Sequence, residues 1–488
     1  MVKAINKHYF LFFLLIAIVS LVFHWDVFKL DLIGTHNMRQ AQTQENILHF
    51  YRHDFNILNP RTHNTGHEGN IKRAELPVMQ WVVALVYKCT GESFLVTRIM
   101  MFLIGLGSSL GMFYLLRILF NDHLTAFAGT WAFSFSPVFY YHSINPMPDN
   151  LGLCGAVWSV FFFFKFLKTT ACRDAAWSAF FVSLATAAKL PYIIFLAVPG
   201  LYLFLSFFGK KTEGSRKAWK VALLFFVIML PSLSWYAWVV PGWNNGVVAG
   251  IFDHPMLYKE FLGTVEFHLK EMFPKMLLGY TSVPFFLTGI FFAVKNKTWR
   301  HWQFKYLASA GLAVLAYWVY EFNMIGMTHE YYMMPFLPLL FLLVAYGIKH
   351  CMKFGKAVKW LGAALLLAMP FIARHEMRDK WTIEASYFVK DVFRFKDDLK
   401  KAAPDDALCI ILSDPTLYVF TYLIDKRGFV VWNDYMPGPW VEDLIKRRGV
   451  TYMYSDCRKV DEDPEVKKHF EKMVMERGAV KVFKLKKY

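Results

Sequence analysis

Repeated apolar runs of ~17–22 residues constrain this chain more than any other feature, because a hydrocarbon layer about 30 Å thick takes about 20 helical residues to cross. They begin at 9–23 and recur at about 94–119, 124–142, 151–168, 175–190, 192–208, 219–240, 276–294, 304–321, 333–348 and 358–373. Composition agrees: 56% of the residues are hydrophobic and 19% charged, where a soluble domain carries about a quarter charged. The fold expected is an α-helical polytopic membrane protein of about 11 spans followed by a soluble α/β domain. FHWDVF after the first run lacks the small residues of a cleavage site, so the first span is expected to remain as an anchor. The apolar stretch 77–88 is too short to cross and is expected to lie at the interface or to re-enter.

The net charge of +17 does not point to nucleic acid. Its excess sits in short loops between spans, as at Lys165/Lys168/Arg173, Lys210/Lys211/Arg216 and Lys349/Lys353/Lys356, which is the positive-inside bias. With Lys3 and Lys7 before the first span, the N-terminus is expected in the cytoplasm, and an odd number of spans puts the C-terminus outside. The six cysteines form no C-x-x-C pair, which argues against a structural zinc site or a disulfide framework.

Residues 1–373 are expected to form the membrane domain, including an outer first loop over 24–93, and 374–488 an extracytoplasmic domain. In the latter, strands are expected at 407–413, 429–434, 450–455 and 479–485. Helices are expected between them, ending on Gly428, Gly449 and Gly478, which implies a largely parallel sheet.

Outer-side ionisable groups are the candidates for chemistry. Arg98 and Lys189 run against the positive-inside bias; they either snorkel to headgroups or bind an anion such as a lipid phosphate. Asp149 is the carboxylate of a very short outer turn and reads either as a helix N-cap or as an active-site acid. Glu75, just before the interfacial stretch, carries the same two readings. His329 and Tyr332 belong to a late outer loop whose tyrosines would also serve as interfacial anchors. Residues 31–80 hold five histidines, His36, His49, His53, His63 and His67, but no HExxH. No metal ligand set is assigned, and a divalent metal is left open.

Taken in order, several short patterns resemble a known family. They are H-x-x-R-Q-A-x-T at His36–Thr43, N-I-L-x-P-R at Asn56–Arg61, E-x-P at Glu75–Pro77, Arg98 early in a span, M-P-D at Met147–Asp149, K-x-P at Lys189–Pro191 and H-x-Y-Y at His329–Tyr332. Together they resemble the GT-C glycosyltransferases, in the branch of protein O-mannosyltransferases and the lipid A aminoarabinose transferase. The resemblance implies inverting transfer of a sugar from a polyprenyl-phosphate donor to a protein, lipid or glycan acceptor, at the outer face of the cytoplasmic membrane. It also implies contact with membrane lipid and no nucleic acid. Such a family commonly carries an acid in the first-loop pattern, where this chain has His36-Asn37 and Gln42. Asp149 and Glu75 are therefore expected as the essential carboxylates, with His36 as the alternative base and, with Arg39, shaping the pocket. Lys189 and Arg98 are expected on the phosphate, with His329 and Tyr332 beside them. A lipid-linked substrate transporter or flippase, and a non-catalytic receptor, are the alternatives.

Overall fold

The computed structural model describes residues 7–66, 70–208, 215–243, 250–252, 256–386 and 388–488. His67, Lys3, Lys210 and Lys211 lie outside the described residues. The chain forms two compact units, one from Met1–Phe28 with Arg98–Met377, the other from Lys29–Thr97 with Arg378–Tyr488.

The first unit is helical. Among the described residues six helical stretches have the length and apolarity to cross a bilayer: Phe94–Phe120, Pro148–Thr169, Leu190–Phe208, Lys217–Gly242, Glu330–Cys351 and Lys356–Trp381. Phe10–His24, Val78–Thr90 and Val283–Lys295 are apolar but shorter. Of the expected runs, 124–142 is interrupted and 276–294 is shortened. The run 124–142 breaks at Phe135–Ser136, ahead of Pro137, into His123–Ser134 and Pro137–His142, because the residue before a proline avoids helical geometry. The run 276–294 starts late, at Val283, after a turn in which Gly279 and Tyr280 adopt positive φ.

Large apolar side chains point outward from this unit, among them Leu223, Phe226, Phe291, Leu312 and Phe371. This is ordinary when hydrocarbon is the solvent. Inside, small residues let backbones approach. A Cβ on Gly347 would lie 1.8 Å from the Phe285 carbonyl oxygen, and one on Gly289 2.0 Å from that of Leu343.

In the second unit, five strands order as β2-β1-β3-β5-β4: β1 Leu408–Ile411, β2 Arg427–Val430, β3 Tyr452–Ser455, β4 Phe470–Arg477 and β5 Val480–Leu485. β1 pairs in parallel with β2 and β3, whereas β5 pairs antiparallel with β3 and β4. The sheet is therefore mixed, not largely parallel. The helix expected to end on Gly478 is a short one, Pro464–Lys467, followed by β4; cross-strand pairing with β5 overrides its helix-favouring composition. Gly428 does not end a helix either. Asp425 takes the left-handed position, and Gly428 lies in β2, where a Cβ would sit 2.1 Å from the Cys409 carbonyl oxygen. Gly449 does end its helix, at φ 71. Cys409 and Cys457 pack in cores on opposite faces of the sheet and are free thiols.

The first-loop segment docks on this sheet. Gly428 N donates to the His63 carbonyl at 3.0 Å and Thr65 N to the Gly428 carbonyl at 2.8 Å, so the loop covers the edge of β2 that would otherwise be open to pairing. The interfacial stretch is the helix Val78–Thr90; it buries Met79, Gln80, Val83, Ala84 and Tyr87, and Gln44 Nε2 donates to Tyr87 Oη at 2.9 Å.

The close approach at Gly347 yields a prediction. Gly347→Leu should destabilise the membrane unit by more than about 3 kcal/mol, read as lost monodisperse yield or a fallen thermal midpoint in detergent, while Gly311→Leu, where a Cβ meets nothing within 4 Å, should be tolerated.

Candidate functional site

In the first unit the candidate residues sit where helices break. Asp149 lies in the first turn of Pro148–Thr169, after Pro148 forces the chain out of the turn before it. The N-cap position falls on Met147, with no side-chain cap bond, so Asp149 is not acting as the cap. Its side chain is 2% exposed, and Oδ2 accepts no hydrogen bond. The nearest cation is the Lys189 ammonium, 3.8 Å from Oδ2. A helix N-terminus also favours a negative charge there.

Lys189 is the extended C-cap of Cys172–Ala188, just ahead of Leu190-Pro191. Its Nζ lies 4.9 Å from the Tyr332 ring centre and 5.8 Å from that of Tyr331, within the range of cation–π attraction. Tyr192 Oη donates to the Asp149 carbonyl at 3.2 Å, which holds the two helix ends together. Tyr332 is fixed in turn by Tyr317 Oη, which donates to its carbonyl at 3.1 Å. Asp149, Lys189 and Tyr332 thus form one cluster.

Arg98 is fully buried, and Nη1 donates to Asn145 Oδ1 at 2.9 Å. Asn150 Nδ2 donates to the carbonyls of Asn145 and His142, at 2.9 and 2.6 Å. Arg98 is therefore tied to the turn that carries Asp149 rather than snorkelling to headgroups. The His329 ring lies 5.9 Å from that of Tyr332, and its Nδ1 bonds the Met324 carbonyl at 2.7 Å.

His142 and Glu330 escaped the sequence reading as a pair. His142 Nε2 lies 3.8 Å from Glu330 Oε1 and its ring is 5.8 Å from that of Tyr331. Both side chains are buried. They are 188 residues apart, so no local pattern could have joined them.

In the second unit, the helix Asn37–Arg52 carries Arg39 one turn in, and His36 sits at its N-cap in left-handed geometry. Arg39 binds the Glu75 carboxylate and the Gln42 amide. Gln80 Nε2 donates to the other Glu75 oxygen at 3.1 Å. Glu75 and Arg39 are thus brought together as an ion pair. Lys72 bonds the Tyr418 hydroxyl; burial, then the nearby Arg39 charge, lowers its pKa.

A further cluster in this unit was legible only as a run of histidines. Glu45, fully buried, accepts from His63 Nδ1 at 3.1 Å and from Thr421 Oγ1 at 2.7 Å. The His49 ring lies 5.0 Å from that of His63 and 5.2 Å from that of His53. Asp425 binds Arg52 at 2.7 Å and Lys400 at 2.8 Å. Burial works to raise the Asp425 carboxyl, but its bonds to Arg52 and Lys400 outweigh that and hold its pKa strongly lowered. This network fastens the first loop to the α/β sheet.

His49 is 3% exposed with neither ring nitrogen hydrogen-bonded. Burial, followed by His63, His53, Arg427 and Arg52, pushes its pKa down to about 2. An unfolded histidine titrates near 6.5. Below that pH the unfolded chain takes up a proton that the folded chain refuses, so stability is full above about 6.5 and falls with pH by up to about 1.4 kcal/mol per unit. His49→Leu should flatten the decline in thermal midpoint between pH 7 and 5; an unchanged slope would rule out this origin.

Residues 73–235 match the sequence family described as dolichyl-phosphate-mannose-protein mannosyltransferase. That stretch contains Glu75, Arg98, Asp149 and Lys189. No curated protein sequence matches the chain. Among solved structures, ArnT from Cupriavidus metallidurans bound to undecaprenyl phosphate is similar with a TM-score of 0.64 at 12% identity, over 99% of this chain and 98% of that one. The Archaeoglobus fulgidus oligosaccharyltransferase solved with zinc and sulfate gives 0.60 at 12%, over 91% and 68%. The mycobacterial arabinofuranosyltransferase AftD gives 0.54 at 13%, over 100% and 42%. The chain shares its fold with these solved structures.

Proposed function

We propose that this protein transfers a sugar from a polyprenyl-phosphate donor to an acceptor hydroxyl, with inversion, at the outer face of the cytoplasmic membrane. The observation that carries the proposal is Asp149, buried on a helix N-terminus with an oxygen that accepts no hydrogen bond, and Lys189 3.8 Å away beneath two tyrosine rings. The fold supports it, as does the similarity to ArnT, whose solved structure holds undecaprenyl phosphate.

The reaction needs two things from the protein. An unassisted hydroxyl is a poor nucleophile at neutral pH, so a carboxylate must take its proton. The departing lipid phosphate needs cations to stabilise its charge. Asp149 is assigned as base, with Glu75, held by Arg39 and Gln80, as the second essential carboxylate. Lys189 and Arg98 are assigned to the phosphate, with Tyr332 framing Lys189 and His329 beside Tyr332. Arg39 is assigned to substrate binding, and His36 as the alternative base. The acceptor oxygen forms a bond to the anomeric carbon from the face opposite the phosphate. The bond from that carbon to the phosphate oxygen breaks, and the lipid phosphate leaves with its electron pair. The proton of the hydroxyl ends on the carboxylate.

The catalytic domain is assigned to 1–373, with the loop 24–93 outside, and the domain 374–488 to the same outer side. The N-terminus is assigned to the cytoplasm.

The test is transfer from a radiolabelled polyprenyl-phosphate sugar by the purified protein in detergent. Asp149→Asn should reduce turnover by at least about a hundredfold while leaving the thermal midpoint in place. Lys189→Ala should raise the donor KM. A folded Asp149→Asn protein with normal turnover defeats the assignment of the base. Uptake of the lipid with no sugar released would point to a transporter instead.

A further inference from the structure

A cleft of about 700 Å³ opens in the second unit, with Glu384, Phe388, Val389, Ser413, Pro415 and Asp456 in its lining. Its position follows from the sheet topology. Ser413 lies two residues beyond β1, and Asp456 directly follows β3. From β1 the chain passes through the helix Val419–Ile424, which packs with Cys409 and Ile411 on one face, and on to β2. It then passes through Gly438–Arg448, which packs with Ile410 and Leu412 on the other face, to reach β3 on the far side of β1. The β1–β2 and β2–β3 connections lie on opposite faces, so a crevice opens at the carboxyl ends of β1 and β3. Open α/β sheets bind ligands at such switch points, and a cavity of this volume suits a small ligand.

The chemistry of the lining narrows the ligand. Asp456 Oδ1 is buried and accepts no hydrogen bond. Ser413 Oγ donates to Asp434 Oδ1 at 2.7 Å, which brings the end of β2 to the same place. Burial, and then the charges of Asp434 and Asp461, push the Asp456 carboxyl up to about 6. Lys390, the cation in the lining, spends its ammonium on the backbone carbonyls of Glu384 and Ser386. The loop after β1, Leu412-Ser413-Asp414-Pro415, has no glycines to cradle a phosphate. An anionic ligand is therefore disfavoured, and the ligand must itself bring donors. Apolar contact is available from Phe388, Val389 and Pro415. The segment after β2 that carries Asp434 also exposes large aromatics: Trp432 is 67% exposed, and Tyr435 and Trp440 meet edge-on at 6.0 Å. Such rings have an apolar face and a polar tip.

We propose that this cleft is a saccharide-binding site, in which Asp456 and Asp434 accept hydrogen bonds from the hydroxyls of a neutral sugar and Trp432 stacks on its ring face. Hydroxyl donors satisfy the open acceptor, and the apolar faces of a pyranose match the aromatic segment. The site does not depend on the transfer reaction proposed above, because it binds and does no chemistry.

The experiment is isothermal titration of the full-length protein in detergent with malto-, chito- and manno-tetraose, and with inorganic phosphate as the anionic control. At least one tetraose should bind and phosphate should not. Asp456→Asn should weaken that binding by about tenfold or more, the loss expected for one charged hydrogen bond. Trp432→Ala, at an exposed position that leaves the core intact, should weaken it severalfold. Asp149→Asn should leave it unchanged, and Asp456→Asn should leave turnover of a labelled lipid-linked donor unchanged, so that failure of either proposal is seen separately. Binding of phosphate alone, no binding of any tetraose, or equal affinity in wild type, Asp456→Asn and Trp432→Ala would each overturn the proposal.

Discussion

A carboxylate at the end of an apolar helix needs a cation, a dipole or water, and Asp149 is placed between the first two. Lys189 stands 3.8 Å from its Oδ2, and Asp149 sits in the first turn of Pro148–Thr169, at the positive end of the helix dipole. The rest of the first unit can be understood as the means of keeping that arrangement. Tyr192 ties the two helix ends together through the Asp149 carbonyl. Arg98, Asn145 and Asn150 fix the turn from behind. Tyr331 and Tyr332 cover the lysine.

Prolines mark the starts of two of the segments that build the cluster, Pro148 and Pro191, and Pro335 lies near the end of the third, Glu330–Phe336. In hydrocarbon, irregular backbone is tolerated only where protein or a water-lined cavity satisfies its polar groups. The helix ends at Pro148 and ahead of Pro191 lie where polar side chains collect, and they free backbone ends that those side chains face.

The second unit solves a different problem. Its first-loop helix carries few apolar residues yet buries Gln40, Gln42, Gln44, Glu45, Asn46 and His49. Each such group costs free energy unless paired, and most find partners in the loop or the α/β sheet: Glu45 with His63 and Thr421, Gln44 with Tyr87, Asn46 with the Arg61 carbonyl. The loop is ordered by polar satisfaction, and it shields the β2 edge of the sheet on which it docks.

Hydrophobic run length is a local property, so the sequence alone determined a helical membrane protein with a terminal α/β domain, and it singled out Asp149, Lys189, Arg98 and Glu75 by their place relative to those runs, and Arg39 by its first-loop pattern. Gly449 was readable as a helix end for the same local reason. Gly428 and β4 were not, because a close approach to Cys409 and pairing with β5 depend on neighbours distant in the chain. The partners of the buried charges were likewise decided only by the tertiary structure: Arg39 with Glu75, Lys189 with Asp149, His142 with Glu330, Glu45 with Thr421. A buried charge must be paired by whatever the fold brings beside it, and no local sequence pattern specifies that partner.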